Sequence, residues 1–150
     1  MGLRVGRLAA IVIGGCALGL GWNAGSGRGF DLDQSVLLQA GDEVISAPEA
    51  KRRLERGALF LDARPRAFWE MNRIQGALPL PQDDFEKAFA ELEPRLRDSL
   101  DIVVYCSGYG CEASHIVARE LADRGIHAAV LDEGTPAWED AGYELVEVAP

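Results

Sequence analysis

Asp101-Ile102-Val103-Val104-Tyr105-Cys106, followed at once by Ser107-Gly108-Tyr109-Gly110-Cys111-Glu112, is the stretch whose reading decides the architecture. An uninterrupted apolar run with β-branched members predicts a strand buried on both faces, as in a parallel sheet. From about Glu112 to Arg124 the pattern changes, and Ala113, Ile116, Val117 and Leu121 recur at the spacing of one helix face. A thiol, Cys106, therefore stands on a tight, glycine-containing turn from strand to helix. In such a turn backbone N–H groups converge and the helix dipole presents its positive end. That setting stabilises a thiolate and lowers a cysteine pKa by about one to several units. Cys106 is the candidate nucleophile, and the reading needs its sulfur ionisable and presented to solvent.

Working outward, the same alternation continues in both directions. Val44-Ile45 is a short strand candidate. Ser46 with Glu49 three residues on has the form of a capping box for a helix running to Arg56 and stopped by Gly57. Ala58 to Leu61 is a buried strand ending at Asp62. Pro65 to Met71 predicts a short helix with Pro65 in its first turn. Ala77-Leu78 begins a short extended piece. Asp83 to Leu92 is amphipathic through Phe85, Ala88, Phe89 and Leu92, and a further turn follows Pro94. Ala128 to Leu131 is a third buried strand, and Pro136 to Ala141 a last short helix. Strands alternating with helices predict an α/β domain whose parallel sheet is covered on both faces. The three best strands end in Asp62, Cys106 and Asp132. Ligands of open α/β sheets bind beyond the carboxyl ends of strands, so these termini outline one active edge. No internal repeat is found.

The N-terminus has a different character. Leu8 through Ala24 carries no charge and follows Arg4 and Arg7. At about 17 residues it is near the lower limit for a spanning helix. Basic residues on the short side predict that this end stays in the cytoplasm and the rest is exported. We take residues 1–24 first as an uncleaved signal anchor, one N-terminal hydrophobic helix in a bacterial inner membrane, with the domain on its periplasmic side. A cleaved signal peptide and a secreted domain is the alternative. Burial of the segment in a soluble protein, and lipid attachment at Cys16, are the remaining readings. Residues 25–43 form a linker, Gly- and Ser-rich at its start, and residues 44–150 form the domain.

Three of the 15 basic residues precede Asp31, which leaves 12 to set against all 24 acidic ones, a net of about −12 for the exported part. This argues against nucleic acid as a partner and against docking on anionic lipid headgroups. Of three cysteines, only Cys106 and Cys111 lie outside the apolar segment. They are too few for a disulfide scaffold and lack the paired spacing of a zinc site, but they could bond to each other in an oxidising compartment. His115 and His127 have no acidic or cysteine ladder beside them, so no metal and no cofactor are expected. Trp69 and Trp138 read as packing residues, and Tyr109 as a loop residue at the substrate entrance.

Together these elements resemble the rhodanese-like family of sulfurtransferases. Asp62-Ala-Arg64 followed by Phe68-Trp-Glu70 and Ile74-Gln-Gly-Ala77 is similar to the family's Asp-x-Arg…Glu…Ile-x-Gly-Ala segment. Val103-Val-Tyr-Cys106 with Gly108 and Gly110 resembles its strand and active-site loop. Val130-Leu131…Gly134-Thr-Pro-Ala-Trp138…Ala141-Gly142 resembles its closing segment. The resemblance spans about Val44 to Val146. It implies that Cys106 accepts a sulfane sulfur as a persulfide and passes it to a thiol or protein acceptor, with Ser107, Gly108, Tyr109, Gly110, Cys111 and Glu112 cradling the bound sulfur. Asp62, Arg64 and Glu70 are expected to form a structural ion-pair network.

Two departures bear on the substrate. Where many members have an arginine five positions after the cysteine, this chain has Cys111, followed by Glu112, and Asp132 and Glu133 add negative charge at the same edge. Arg73 stands where a histidine is frequent. Thiosulfate is thus a poor fit as donor, and persulfides, polysulfides or thiols fit better. Cys111 is either a small loop residue or a resolving thiol for a persulfide on Cys106. Beside sulfur transfer, two further readings stand: a thiol–disulfide redox protein using Cys106 and Cys111, and a non-catalytic protein-binding module.

Overall fold

The computed structural model of the chain describes residues 43–108 and 111–147. The apolar segment 1–24, and the linker apart from Glu43, lie outside the described residues, as do Tyr109 and Gly110. Among the described residues no helix is long and apolar enough to cross a membrane.

The chain runs β1 (Glu43–Ile45), α1 (Ala47–Glu55), β2 (Leu59–Asp62), α2 (Arg66–Met71), β3 (Asn72–Arg73) and β4 (Leu78–Pro79). A 3-10 turn (Gln82–Asp84) leads into α3 (Phe85–Asp98), followed by β5 (Ile102–Tyr105), α4 (Ala113–Asp123), β6 (Ala129–Leu131), α5 (Gly134–Asp140) and β7 (Val146–Glu147). Five strands form one sheet in the order β1-β6-β5-β2-β4. All its pairings are parallel. β3 and β7 make a separate antiparallel ribbon.

Side chains alternate across a strand, and the central strands show it. Leu61, Ile102 and Val104 face Phe85, Ala88, Phe89 and Leu96 of α3 and Val117 and Leu121 of α4. Phe60, Val103 and Tyr105 face the other way, toward Ala47 and Ala50 of α1, Ile74, and Trp138 of α5. Both faces are therefore sealed, which is why these strands read as continuous apolar runs rather than as alternating ones. Pro79 lies on edge strand β4, where the missing N–H leaves no central ladder bond unmade.

Three local readings change. Ser46 is the N-cap of α1, but its side chain makes no capping bond, and the Glu49 carboxylate accepts from Arg52 and Arg53. Pro65 is the N-cap of α2 rather than a member of its first turn. The segments before and after Pro94 are one helix, α3. Pro94 forfeits a bond to the carbonyl four residues back. The helix continues because Leu96, beyond it, is only 1% exposed in the core.

Candidate active site at the carboxyl edge of the sheet

Strand order places β5 between β6 and β2. Asp62, the last residue of β2, Cys106, just after β5, and Asp132, just after β6, consequently share one edge. Their surroundings differ. Asp62 is completely buried and Asp132 is exposed. Register sets Asp62 opposite Tyr105, and the Tyr105 hydroxyl donates to Asp62 Oδ2 at 2.7 Å. Arg64 donates to the same carboxylate from Nε (2.9 Å to Oδ1) and Nη2 (2.7 Å to Oδ2), and its backbone N–H adds a third bond to Oδ1 at 3.0 Å. The guanidinium also reaches Asn72, donating to its carbonyl at 2.6 Å and to its Oδ1 at 3.2 Å. Ile74 N–H donates to the Tyr105 hydroxyl at 3.3 Å.

A fully satisfied buried network of this kind fixes positions rather than doing chemistry. Burial, and then the neighbouring Asp62 carboxylate, push the Tyr105 phenol well above the ordinary tyrosine value. Burial works against the charge on Arg64, yet the bonds and charge of Asp62 outweigh it and hold the guanidinium above its usual value. Asp62 and Arg64 thus make the expected ion pair. Glu70 is exposed on α2; the remaining places in the network belong to Asn72 and Tyr105, which the sequence reading left out. Tyr105 carried a signal: it is a polar-tipped residue in an otherwise apolar buried strand. Asn72 carried none.

The turn after Cys106 is gripped by the start of α5. The Cys106 carbonyl accepts the Thr135 N–H at 3.0 Å. Gly134 has φ 53°, and a Cβ there would collide with the Cys106 carbonyl. Gly108, with φ 125°, comes so close to α5 that a Cβ would lie 2.7 Å from Pro136 Cγ. Glu133, just before α5, is the non-glycine residue with positive φ among those described. Asp132 Oδ1 accepts its N–H at 3.0 Å, which steadies the left-handed turn. The end of β6 and the turn after β5 therefore interlock through backbone, and only glycine permits that approach.

Cys106 and Cys111 are joined by a disulfide, with Cα atoms 6.4 Å apart, inside the usual span for such bonds. Cys111 N–H donates to the Gly108 carbonyl at 2.9 Å, closing the loop on itself. That donor was expected to cradle a bound sulfur; in the bridged loop it is occupied. The expectation of a solvent-presented sulfur at 106 is corrected as well, for Cys106 is only 3% exposed. Cys111 is partly exposed, Ser107 and Glu112 are exposed, and α4 begins at Ala113 immediately beyond. Residues 106–112 contain no Lys or Arg, and Glu112, Asp132 and Glu133 border the turn. Arg73 is engaged elsewhere, donating to the Trp69 carbonyl at 3.0 Å and stacking over that indole at 4.1 Å.

A parallel α/β domain with a cysteine in the turn beyond its central strand, gripped by the following strand's helix, defines the class of protein. Residues 46–141 match the rhodanese-like domain, and the chain belongs to that family. Over 115 residues it is 32% identical to an HTH-type transcriptional regulator of Mycobacterium tuberculosis, a match covering 76% of this chain and 49% of that protein. The chain thus spans about half the length of this curated relative. Among solved structures it is similar to the rhodanese-like domain of an Anabaena protein, at 28% identity and TM-score 0.59, covering 71% of this chain and 80% of that one. It is also similar to a thiosulfate sulfurtransferase from Pseudomonas aeruginosa, at 25% identity and TM-score 0.58, covering 72% of this chain and 21% of that one.

Proposed function

We propose that this chain transfers sulfane sulfur through a persulfide on Cys106, in a domain held outside the cytoplasm by its N-terminal apolar segment. The observation that carries the reading is the place of Cys106 at the carboxyl end of the central β5. It stands in a turn that leads to the N-terminus of α4, in a chain of the rhodanese-like family. Reduced Cys106 attacks the outer sulfur of a donor R–S–SH, forming Cys106–S–SH and releasing R–SH; an acceptor thiolate then takes the outer sulfur. The turn residues Ser107 to Glu112 contact the donor. With no cation in the turn and carboxylates beside it, an organic persulfide or polysulfide suits the site better than doubly charged thiosulfate.

The disulfide favours a second reading, in which Cys106 and Cys111 cycle between dithiol and disulfide. Mass spectrometry of reduced full-length protein from the membrane fraction, before and after cysteine persulfide, tests these proposals. We expect an intact N-terminus and one added sulfur on the peptide of Cys106 in the Cys111→Ser variant, and none in Cys106→Ser. Sulfur gained by Cys106→Ser would overturn the assignment, and a chain beginning beyond residue 24 would overturn the anchor.

A further inference from the structure

The partner of Cys106 lies five residues away in the same turn, and the structure shows the two sulfurs bonded. We propose that Cys111 resolves the Cys106 persulfide, so that the domain reduces sulfane sulfur and releases it as sulfide. This rests on the persulfide reading above and gives that site a different product.

Of the two possible attacks on the persulfide, only one forms the bond that the structure contains. In Cys106–Sγ–SH two sulfurs are open to a thiolate. Attack on the outer one would move the persulfide to Cys111 and release nothing. Attack on the inner one, Sγ of Cys106, forms the Cys106–Cys111 bond and breaks the Sγ–S bond. The outer sulfur then leaves as HS⁻ with the electron pair. The sulfane sulfur gains two electrons and the two cysteines lose them, so the step balances without an outside oxidant or reductant. The disulfide joins Sγ of Cys106 to Sγ of Cys111, which is the product of inner attack. In the bridged loop the Cys111 N–H donates to the Gly108 carbonyl at 2.9 Å.

Regeneration requires a dithiol reductant, and the two ends of the bridge differ in access. Cys106 is 3% exposed whereas Cys111 is partly exposed. An incoming thiolate reaches Cys111, makes a mixed disulfide there and expels Cys106 as a thiolate. The second thiol of the reductant then frees Cys111, and the reductant leaves as its own disulfide. Each cycle converts one donor persulfide and one dithiol into a thiol, a sulfide and a disulfide.

The test uses full-length protein, reduced and freed of reductant under anaerobic conditions, and cysteine persulfide, whose transfer to Cys106 itself releases cysteine and no sulfide. Sulfide above a protein-free control and intact mass are followed together. Wild type should release one sulfide per chain while losing two hydrogens, with both changes sharing one time course. Cys111→Ser and Cys111→Ala should hold one extra sulfur and release at least tenfold less sulfide. The proposal is overturned if wild type keeps the extra sulfur on Cys106 with Cys111 free, if the sulfur appears on Cys111, or if the Cys111 variants release as much sulfide as wild type. Should folded Cys111 variants take up no sulfur, the persulfide reading itself fails, which is a separate result. The shared time course in wild type needs no variant to fold.

Discussion

Tyr105 and Cys106 are adjacent, yet they answer different demands. Tyr105 is fully buried and tied to Asp62, so it anchors the end of β5 to the end of β2. Cys106 is the first residue past that anchor. Tyr105→Phe removes the bond to Asp62 and strands the Ile74 N–H, at a cost of about 1–3 kcal/mol in urea unfolding. The same variant should change the alkaline response. Unfolded tyrosine ionises near its ordinary value of about 10, while the folded Tyr105 phenol is held above it by burial and by Asp62. Between those values the unfolded state binds fewer protons. The contribution is therefore complete below about pH 10 and is lost as pH rises toward the folded value. Stability measured from about pH 9 to about pH 11 should fall less steeply in Tyr105→Phe than in wild type; equal slopes would contradict this placement.

At the scale of elements, the central strands were legible because both faces are sealed, and continuous apolar runs such as Ile102–Tyr105 announce that directly. The helices α3 and α4 were legible from their periodic faces, and α1 from the start signal at Ser46 and Glu49 and the stop at Gly57. What escaped has physical reasons. The β3–β7 ribbon is two residues deep, too short to carry any periodicity. The continuity of α3 through Pro94 is decided by tertiary burial of Leu96 and not by local propensity. The site was legible as an edge, through Asp62, Cys106 and Asp132, but not in its state: loop closure by Cys111 depends on geometry that spacing does not fix. The backbone interlock at Gly134 was equally hidden, since it joins segments far apart in sequence. Gly134→Ala places a methyl group against the Cys106 carbonyl. We expect a loss of about 2 kcal/mol or more and slower sulfur uptake in the fraction that stays folded, both larger than for Gly57→Ala, where a Cβ has open space. Equal effects at the two positions would show that the interlock does not hold the turn.

For the whole molecule, the proposed sulfur transfer makes acidity the property that selects among donors. From Asp31 onward 24 acidic residues face 12 basic ones, and the turn itself is bordered by carboxylates. Thiosulfate should load Cys106 about tenfold more slowly than cysteine persulfide, and added salt should speed the thiosulfate reaction by screening repulsion. Thiosulfate loading that is as fast, or that slows with salt, would place an unsuspected cation at the edge. The central claim is that sulfur travels on Cys106, and cyanide tests it most directly because it removes sulfane sulfur as thiocyanate. After reduction, exposure to cysteine persulfide and removal of the excess, the Cys111→Ser protein should yield one thiocyanate per chain, and the Cys106→Ser/Cys111→Ser protein none. Thiocyanate from the double variant, or its absence from the folded single one, would contradict the account.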